Sequence, residues 1–334
     1  MLLIDPKDKL PKVAQIVQAI VRDIEKGVLK KNDRLLSITG FSKKHKIARD
    51  TVERAYKRLK DEGYIISVPG KGNYIDEVDQ SSIRILMVLN KLSSYKKDVY
   101  EAFTRTLGRK AKVDLQVHHY DPKMLKEILD AARGRYHYYV IMPHFFQHLE
   151  EKEFTDILAE VPSHELVLLD KNVSLDIGSY IAVYQDFKKD IYNALSSATD
   201  LISKYSSITI IFPEHSNHPT EITEGIQQFC NENRKQFSIV ADVSHTTLKK
   251  RHVYITLTDS DLASLIKSVR LKGLKIGEEI GIISFNETAL KELLDITVIT
   301  TDFEAMGETT ARLIMEKDYV QIHNPFKLIK RQSL

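Results

Sequence analysis

Between Lys30 and Lys60 the sequence carries eleven lysine or arginine side chains against three acids, Asp33, Asp50 and Glu53. An arginine guanidinium can meet guanine N7 and O6 with two parallel donors, and Arg49 stands at the start of a helical pattern where it could do so. Thr51 and the first-turn N–H groups beside it suit a phosphate. Lys43, Lys44 and Lys46 read as phosphate contacts rather than base readers. Lys71, between Gly70 and Gly72, could follow a backbone into the minor groove. This is the chemistry of polyanion recognition, with double-stranded DNA as the expected partner. A charged helix face is more often a solvated surface, but here the charge is one-sided.

Residues that could do covalent or metal chemistry are poorly placed by comparison. His144, His148 and Glu151 have spacing that could suggest a metal site. Pro143 ends a strand there, however, so His144 should precede the helix and miss its face. His215 and His218 stand apart from any cysteine. No G-x-S-x-G elbow and no phosphate-binding P-loop occurs. The single cysteine, Cys230, falls at helical spacing with Ile222, Ile226 and Phe229 and reads as a core filler. One cysteine excludes an internal disulfide framework and fits a reducing cytoplasm. The expectation is a protein with no catalytic residues, no metal and no cofactor.

Composition agrees. The chain has 334 residues, 43% hydrophobic and 28% charged, the profile of an ordinary soluble protein long enough for two domains. No apolar run approaches the roughly 20 residues that a membrane span needs, so no membrane partner is expected. The stretch MLLIDPKDKLPK has no signal-peptide core. Residues 1–76 carry 17 basic and 10 acidic side chains, a net of +7, whereas the remainder carries 32 and 36, a net of −4. A polyanion should therefore bind the amino-terminal part.

Hydrophobic spacing shows what must position these side chains. Val13, Ile16, Val17, Ile20, Val21 and Ile24 form one stripe of a first helix, with Gly27 as its C-cap. Ser37 is placed to cap a second helix. Residues 49–61 form a third, with Val52, Ala55, Tyr56 and Leu59 turned inward and Phe41 and Ile47 completing the core. Residues 65–68 and 73–75 read as short strands around Pro69-Gly70-Lys71-Gly72, where Gly70 suits a type II turn. A helix, a helix-turn-helix and a basic hairpin make a winged helix.

Over about its first 75 residues the chain resembles the GntR family of bacterial transcription regulators, through AQIVQAIVRDIEKGVL, NDRLLS, IARDTVERAYKRLKDEGYI and GKGNYI in that order. The resemblance implies DNA contacts among Ser37, Thr39, Lys43, Lys44, Lys46, Arg49, Asp50, Thr51, Arg54, Lys71 and Gly72. There are departures. Ile38, Thr39 and Gly40 stand where the family has acidic and arginine residues after the serine, so a capping glutamate and one DNA-contacting arginine are missing. Ala48 replaces a serine that often caps the third helix. Glu53 stands where many relatives have arginine. The operator sequence is accordingly left open.

Residues 77–82 are polar and form a linker without the periodicity of a hinge helix. From Ile83 onward apolar runs alternate with amphipathic helices. Strands are expected at 85–89, 113–120, 138–143, 165–170, 180–184, 207–213, 237–241, 252–257, 281–285 and 296–300. Helices are expected at 95–109, 122–133, 147–160, 188–205, 221–234, 261–272 and 303–316. This alternation means parallel sheets with crossover helices, and its length means two of them. Residues 83–334 resemble the LacI/GalR type of sugar-sensing domain, most clearly in LKGLKIGEEIGIISFNE, ITVITTDFEAMGETTARLIM and the closing FKLIKRQSL. A GntR head on such a body is the arrangement of the arabinose-repressor subgroup. The fold class is thus α/β and multidomain: a winged helix-turn-helix at 1–76 and a two-lobed, periplasmic-binding-like domain at 83–334.

Ligands of such folds lie at the carboxyl ends of parallel strands, between the lobes. The strand ends here offer Asn90, Lys91, Ser93, His144, Asp170, Lys171, Gln185, Asp259, Asp261, Asn286 and Glu287, with Glu221 nearby. Asp170 and Asn286 fall where relatives use polar sugar ligands, although either residue could simply turn the chain after a strand. Asp302 and Phe303 follow the matching TVITTDF segment. Relatives place a sugar-gripping arginine three residues before a glycine, whereas Ile222 stands three before Gly225, so sugar identity cannot be carried over. The resemblance implies a cytoplasmic, homodimeric regulator, a repressor of a carbohydrate operon controlled by a monosaccharide. The alternatives are a regulator sensing a sugar phosphate, nucleoside or other metabolite, or a carbohydrate-processing enzyme with an accessory DNA-binding head.

Overall fold

Ile16, Val17, Ile20 and Ile24 share one face of helix α1 (Lys12–Glu25), and burial of that face forms the core of the amino-terminal region. The computed structural model describes residues 11–25, 27–76, 83–146, 149–213 and 217–334. The linker residues 77–82, together with His148 and His215, lie outside the described residues. Chain contacts define two units: Met1–Arg84 with Arg109–Lys112 and Leu129–His137, and Ile85–Gly108 with Val113–Ile128 and Tyr138–Leu334.

In the first unit α1 precedes α2 (Ile38–His45) and α3 (Arg49–Asp61). Ser37 caps α2, its Oγ accepting from the Gly40 N–H at 3.0 Å. Lys46 closes α2 in the left-handed region, φ 53°, and turns the chain into α3. Val52, Ala55, Tyr56 and Leu59 are buried on α3, as their spacing requires. Strands β1 (Ile65–Val68) and β2 (Gly72–Ile75) pair antiparallel, Val68 opposite Gly72. Between them the Lys71 N–H donates to the Val68 carbonyl at 3.0 Å, and Gly70 has φ 73°, the conformation a type II turn demands.

The chain then forms β3 (Ile83–Leu89), α4 (Ser94–Leu107), β4 (Ala111–Val117), α5 (Pro122–Ala132) and β5 (Tyr138–Ile141), which lie mostly in the second unit. It continues with α6 (Lys152–Ala159), β6 (Leu166–Lys171), β7 (Ile181–Gln185), α7 (Phe187–Ser196) and α8 (Thr199–Ile202). Next come β8 (Ser207–Ile211), α9 (Glu221–Glu232), β9 (Gln236–Val240), β10 (His252–Thr256) and α10 (Asp259–Leu271). The chain finishes with β11 (Ile280–Phe285), α11 (Ala289–Leu293), β12 (Thr297–Thr301), α12 (Phe303–Glu316), β13 (Gln321–His323) and β14 (Phe326–Ile329). Two six-stranded sheets result, ordered β13-β7-β6-β5-β3-β4 and β14-β12-β11-β10-β8-β9. Pairing is parallel along β3, β5, β6, β7 and β13, and along β9, β8, β10, β11 and β12. The edge strand β14 runs antiparallel against β12. Helices cover both faces, so β5, β8, β11 and β12 are buried throughout and read as unbroken apolar runs.

The chain passes between the sheets after β7, after β12 and after β13. Asn324, fully buried, ties these crossings together. Its N–H donates to the Tyr184 carbonyl at 2.7 Å, and its Nδ2 donates to Thr301 Oγ1 at 2.8 Å and the Asp302 carbonyl at 2.9 Å.

The structure departs from the sequence reading in short elements. The helix expected at 188–205 is two, α7 and α8, broken at Ala198 (φ −117°, ψ 20°). There Ser197 and Thr199 donate their hydroxyls back to the Ala194 and Ser196 carbonyls, a bonding that competes with helix continuation. The helix expected from 147 starts at Lys152, where Glu153 Oε1 accepts from the Glu150 N–H at 2.9 Å and marks its first turn. Strands β13 and β14 and helix α11 have no counterpart among the expected elements. No helix among the described residues is long and apolar enough to cross a membrane.

Candidate functional site: DNA interface and ligand cleft

In the winged helix, Lys43 and Lys44 lie exposed on α2, and Lys46 at the turn. Arg49, Asp50 and Arg54 are exposed on the first turns of α3, with Thr51 half-buried among them. Ser37 and Thr39 are exposed at the start of α2, and Lys71 and Gly72 at the hairpin tip. Ala48 gives α3 no side-chain cap, so orphan N–H groups of its first turn remain open to an anion. Arg54 Nε donates to the Asp50 carbonyl at 3.4 Å, which holds the guanidinium beside that turn. Arg34 was not among the expected contacts. It forms an antiparallel bridge to Tyr74, and its side chain lies against Gly72, whose φ of 112° and lack of Cβ leave room for it. The sequence signal was only its charge, because the bridge joins residues 40 positions apart.

In the second unit the strand carboxyl ends face a cavity of about 480 Å³, within the ~300–1,000 Å³ range of small-molecule sites. Of the expected ligand residues, Asn90, Lys91, Ser93, His144, Asp170, Asp259 and Asn286 line it. Gln185, also expected at a strand end, and Phe303 line it too, with Tyr95, Phe187 and Phe285 as aromatic surface. Tyr95 and Phe303 stack, centroids 5.3 Å apart. Lys171 and Glu221 line an adjoining chamber of about 300 Å³ that shares His144, Asn217 and His218 with the first. Glu287 does not line the cavity: Arg331 Nη2 holds its carboxylate at 2.7 Å. Asp302 is also elsewhere, capping α12 by accepting from the Ala305 N–H at 2.9 Å. Asp261 is likewise held in a cap, its N–H donating to Thr258 Oγ1 at 3.1 Å.

Asp170, the last but one residue of β6, has φ 75°, and its carboxylate is 5% exposed. It accepts from the Lys96 ammonium, from Gln185 Nε2 and from His144 Nε2 at 2.9 Å. Burial alone would raise its pKa, but Lys96 and His144 outweigh it and hold the carboxyl well below the usual carboxylate range. Burial lowers the pKa of His144 against the pull of Asp170, which favours the neutral ring, and a neutral ring facing a carboxylate donates from Nε2 and leaves Nδ1 as an acceptor. Asp170 therefore spends its acceptors on its neighbours. Instead of gripping a ligand freely, it aligns Lys96, His144 and Gln185. Lys96 was not anticipated, since its partner lies 74 positions away.

The opposite wall is built the same way. Asn286 directly follows β11 at φ 61°. Lys291, only 2% exposed, donates to the Phe285 carbonyl at 2.6 Å and the Asn286 carbonyl at 2.9 Å, and pairs with Asp259 at 2.8 Å. This lysine, also unanticipated, fixes both the strand end and the carboxylate. Asn90, 4% exposed, has an Oδ1 with no partner among the described residues, an acceptor waiting for a hydroxyl. Ile222 lines the cavity as an apolar side chain, and Gly225 lets α9 approach α7 where any Cβ would meet the Lys188 carbonyl. Cys230 is fully buried and its thiol is pushed up to about 11 by burial, so it is no nucleophile. Among the described residues no group of three or more His, Cys, Asp or Glu side chains could hold a metal ion.

Residues 5–75 match the family "Bacterial regulatory proteins, gntR family". The HTH-type transcriptional repressor YtrA of Bacillus subtilis is 30% identical over 105 residues, which span 30% of this chain and 81% of that protein. The chain belongs to the gntR family. It is a DNA-binding transcriptional regulator of GntR type, and the fold of its second unit is shared with LacI-type regulators. The trehalose repressor from Escherichia coli superposes with a TM-score of 0.61 at 15% identity, over 75% of this chain and all of that one. The Lac repressor bound to ONPG superposes at 0.63 and 14%, over 85% and 90%. A LacI family regulator from Lactobacillus casei, solved with bound glucose, gives 0.57 and 13%, over 75% and all of that chain. The expected joining of a GntR head to a LacI-like body is therefore the architecture of this regulator.

Proposed function

We propose that this regulator is a cytoplasmic, homodimeric repressor of a carbohydrate-utilisation operon, controlled by a monosaccharide held in the cleft of its second unit. It performs no chemistry on that ligand. The observation that carries the reading is the cleft itself: fixed amide and imidazole groups beside a Tyr95–Phe303 aromatic pair. Hydroxyl-rich ligands need such donors and acceptors, and a ring gives their C–H face a partner. The L. casei regulator of the same fold was solved with glucose and with sucrose, which supports the class of ligand. Asn90, Asn286 and His144 would meet hydroxyls, with Asp170 and Lys291 holding them in place. The Arg49 region of α3 would enter the major groove, and Lys43, Lys44, Lys46 and Lys71 would meet phosphates.

Dimerisation is proposed through the second unit. Leu290, Leu293 and Leu294 on and after α11 and Leu271 at the end of α10 are 69%, 80%, 46% and 80% exposed. Clustered exposed leucines of this kind mark association surfaces. The test of ligand class is a thermal-shift screen of pentoses and hexoses on the full chain. One sugar should raise the melting temperature with concentration, and Asn286→Ala should abolish that shift. If no carbohydrate shifts melting, the sugar reading is wrong. Turnover of a bound sugar would return the enzyme alternative.

A further inference from the structure

Of the four charged side chains that line the cavity, Lys96, Asp170 and Asp259 are engaged in ion pairs and Lys91, among the described residues, is not. Three lysines bear on the cleft. Lys96 is paired with Asp170, and Lys291 with Asp259. Lys91 lines the cavity and has no carboxylate within 4.0 Å among the described residues. The acid it senses is Asp170, already engaged by Lys96. Burial and the neighbouring Lys96 both push the Lys91 pKa down, so the ammonium is disfavoured where it stands. His218, on the same side, is pushed down to about 4 by burial and by Lys91, His144 and Lys96.

The backbone acts in the same sense. Lys91 lies just before α4, a helix of 14 residues whose N-cap Ser93 and first-turn Tyr95 and Lys96 line the cavity. Ser93 satisfies the Lys96 N–H, and the partial positive charge of the helix start is directed to the same wall. The carboxylates toward the opposite wall are committed, Asp259 to Lys291 and Glu287 to Arg331. A second, independent feature is Asn90, nine-tenths buried and next to Lys91, with its Oδ1 unpartnered. A free inorganic anion would satisfy Lys91 and leave this acceptor empty. A neutral sugar would do the reverse.

We propose that the effector is an anionic carbohydrate, a sugar phosphate or a sugar acid, whose charged group lies against Lys91 and the start of α4 while its hydroxyls meet Asn90 and Asn286. This rests on the cleft being a sugar site and narrows the ligand within that reading. Charge-assisted hydrogen bonds to a partly desolvated ammonium are among the stronger polar contacts.

The test is calorimetry on the full chain with glucose, ribose and arabinose, with glucose 6-phosphate, ribose 5-phosphate and glucuronate, and with inorganic phosphate. A charged sugar is expected to bind about tenfold or more tightly than its neutral parent. Lys91→Gln should remove that advantage, and Lys91→Arg should restore most of it. Preference between phosphate and uronate then identifies the charged group. A neutral sugar that binds as tightly as its charged forms, unaffected by Lys91→Gln, overturns the inference and leaves the sugar-sensor reading standing. Inorganic phosphate binding as tightly as the sugar phosphates overturns it in favour of a free-anion site. If none of the carbohydrates binds, both readings fall. Should Lys91→Gln fail to fold, the comparison of charged and neutral sugars on the wild-type chain still decides.

Discussion

Lys96 and Asp170 meet in a buried ion pair at the floor of the cleft, the two side chains 8% and 5% exposed. Such a pair gives little net stability, because desolvation offsets its attraction, but breaking it leaves a buried charge uncompensated. Asp170→Ala should therefore lower unfolding free energy by about 3–5 kcal/mol and abolish the ligand response. Adding Lys96→Met should recover most of the stability and none of the response. Urea unfolding and ligand titration of both variants check this. A single variant as stable as wild type would mean that the pair is not formed in solution.

A second expectation concerns pH. His118 is fully buried, its Nε2 3.0 Å from the Met142 carbonyl, and burial lowers its pKa to about 4. His144 and His218 are lowered for the same main reason. With folded values below the unfolded value of about 6.5, stability is complete above that pH and falls as pH drops toward about 4, because the unfolded chain gains protons first. His118 alone should account for a loss on the order of 3 kcal/mol across that window. Unfolding measured from about pH 7 to pH 4.5 should show the decline, and His118→Gln should flatten it.

The proposed DNA contacts imply two separable defects. Arg49→Ala should cost roughly 1–3 kcal/mol on the selected operator and relax base preference. Lys44→Ala should weaken all sequences about equally and lower the salt slope by about one. Binding isotherms at several salt concentrations, on selected and random duplexes, separate the two. Unchanged specificity in Arg49→Ala would remove that side chain from base readout.

The leucine surface makes a prediction about assembly. A charge placed at Leu293, 80% exposed, is harmless to a monomer but would be buried in the proposed interface. Leu293→Glu should shift sedimentation from dimer to monomer without lowering the monomer's unfolding free energy. Operator affinity should fall with it, since one head reaches about one major groove. A wild-type dimer unaffected by Leu293→Glu places the interface elsewhere.

The winged helix was largely legible because its information is local. The spacing of Val52, Ala55, Tyr56 and Leu59, the cap at Ser37 and the Pro69-Gly70 turn each lie within a few residues. The parallel sheets were legible because strands such as β11 are buried on both faces and stay apolar throughout. What escaped was either short or distant. Strand β13 has three residues and draws its pairing from β7, more than a hundred positions earlier. Lys96 looks like any lysine on an amphipathic helix until Asp170 folds onto it, and Lys291 until it meets Asp259. Strand-end position pointed to Asp170 and Asn286 but could not tell a residue that would meet ligand from one that aligns its neighbours. Nor could it show that Glu287 is held by Arg331 outside the cavity.

A ligand in the cleft is proposed to control the DNA-binding head. A ligand can change DNA affinity only by its differential affinity for the free and DNA-bound states, and the coupling is reciprocal. The most direct measurement takes the full chain, an operator selected by it from random DNA, and the sugar that most raises its melting temperature. Operator affinity is measured with and without the sugar, and sugar affinity with and without the operator. Both affinities are expected to change by the same factor, roughly 5–150-fold and in the same sense. A sugar that binds the cleft while both affinities stay unchanged would contradict it.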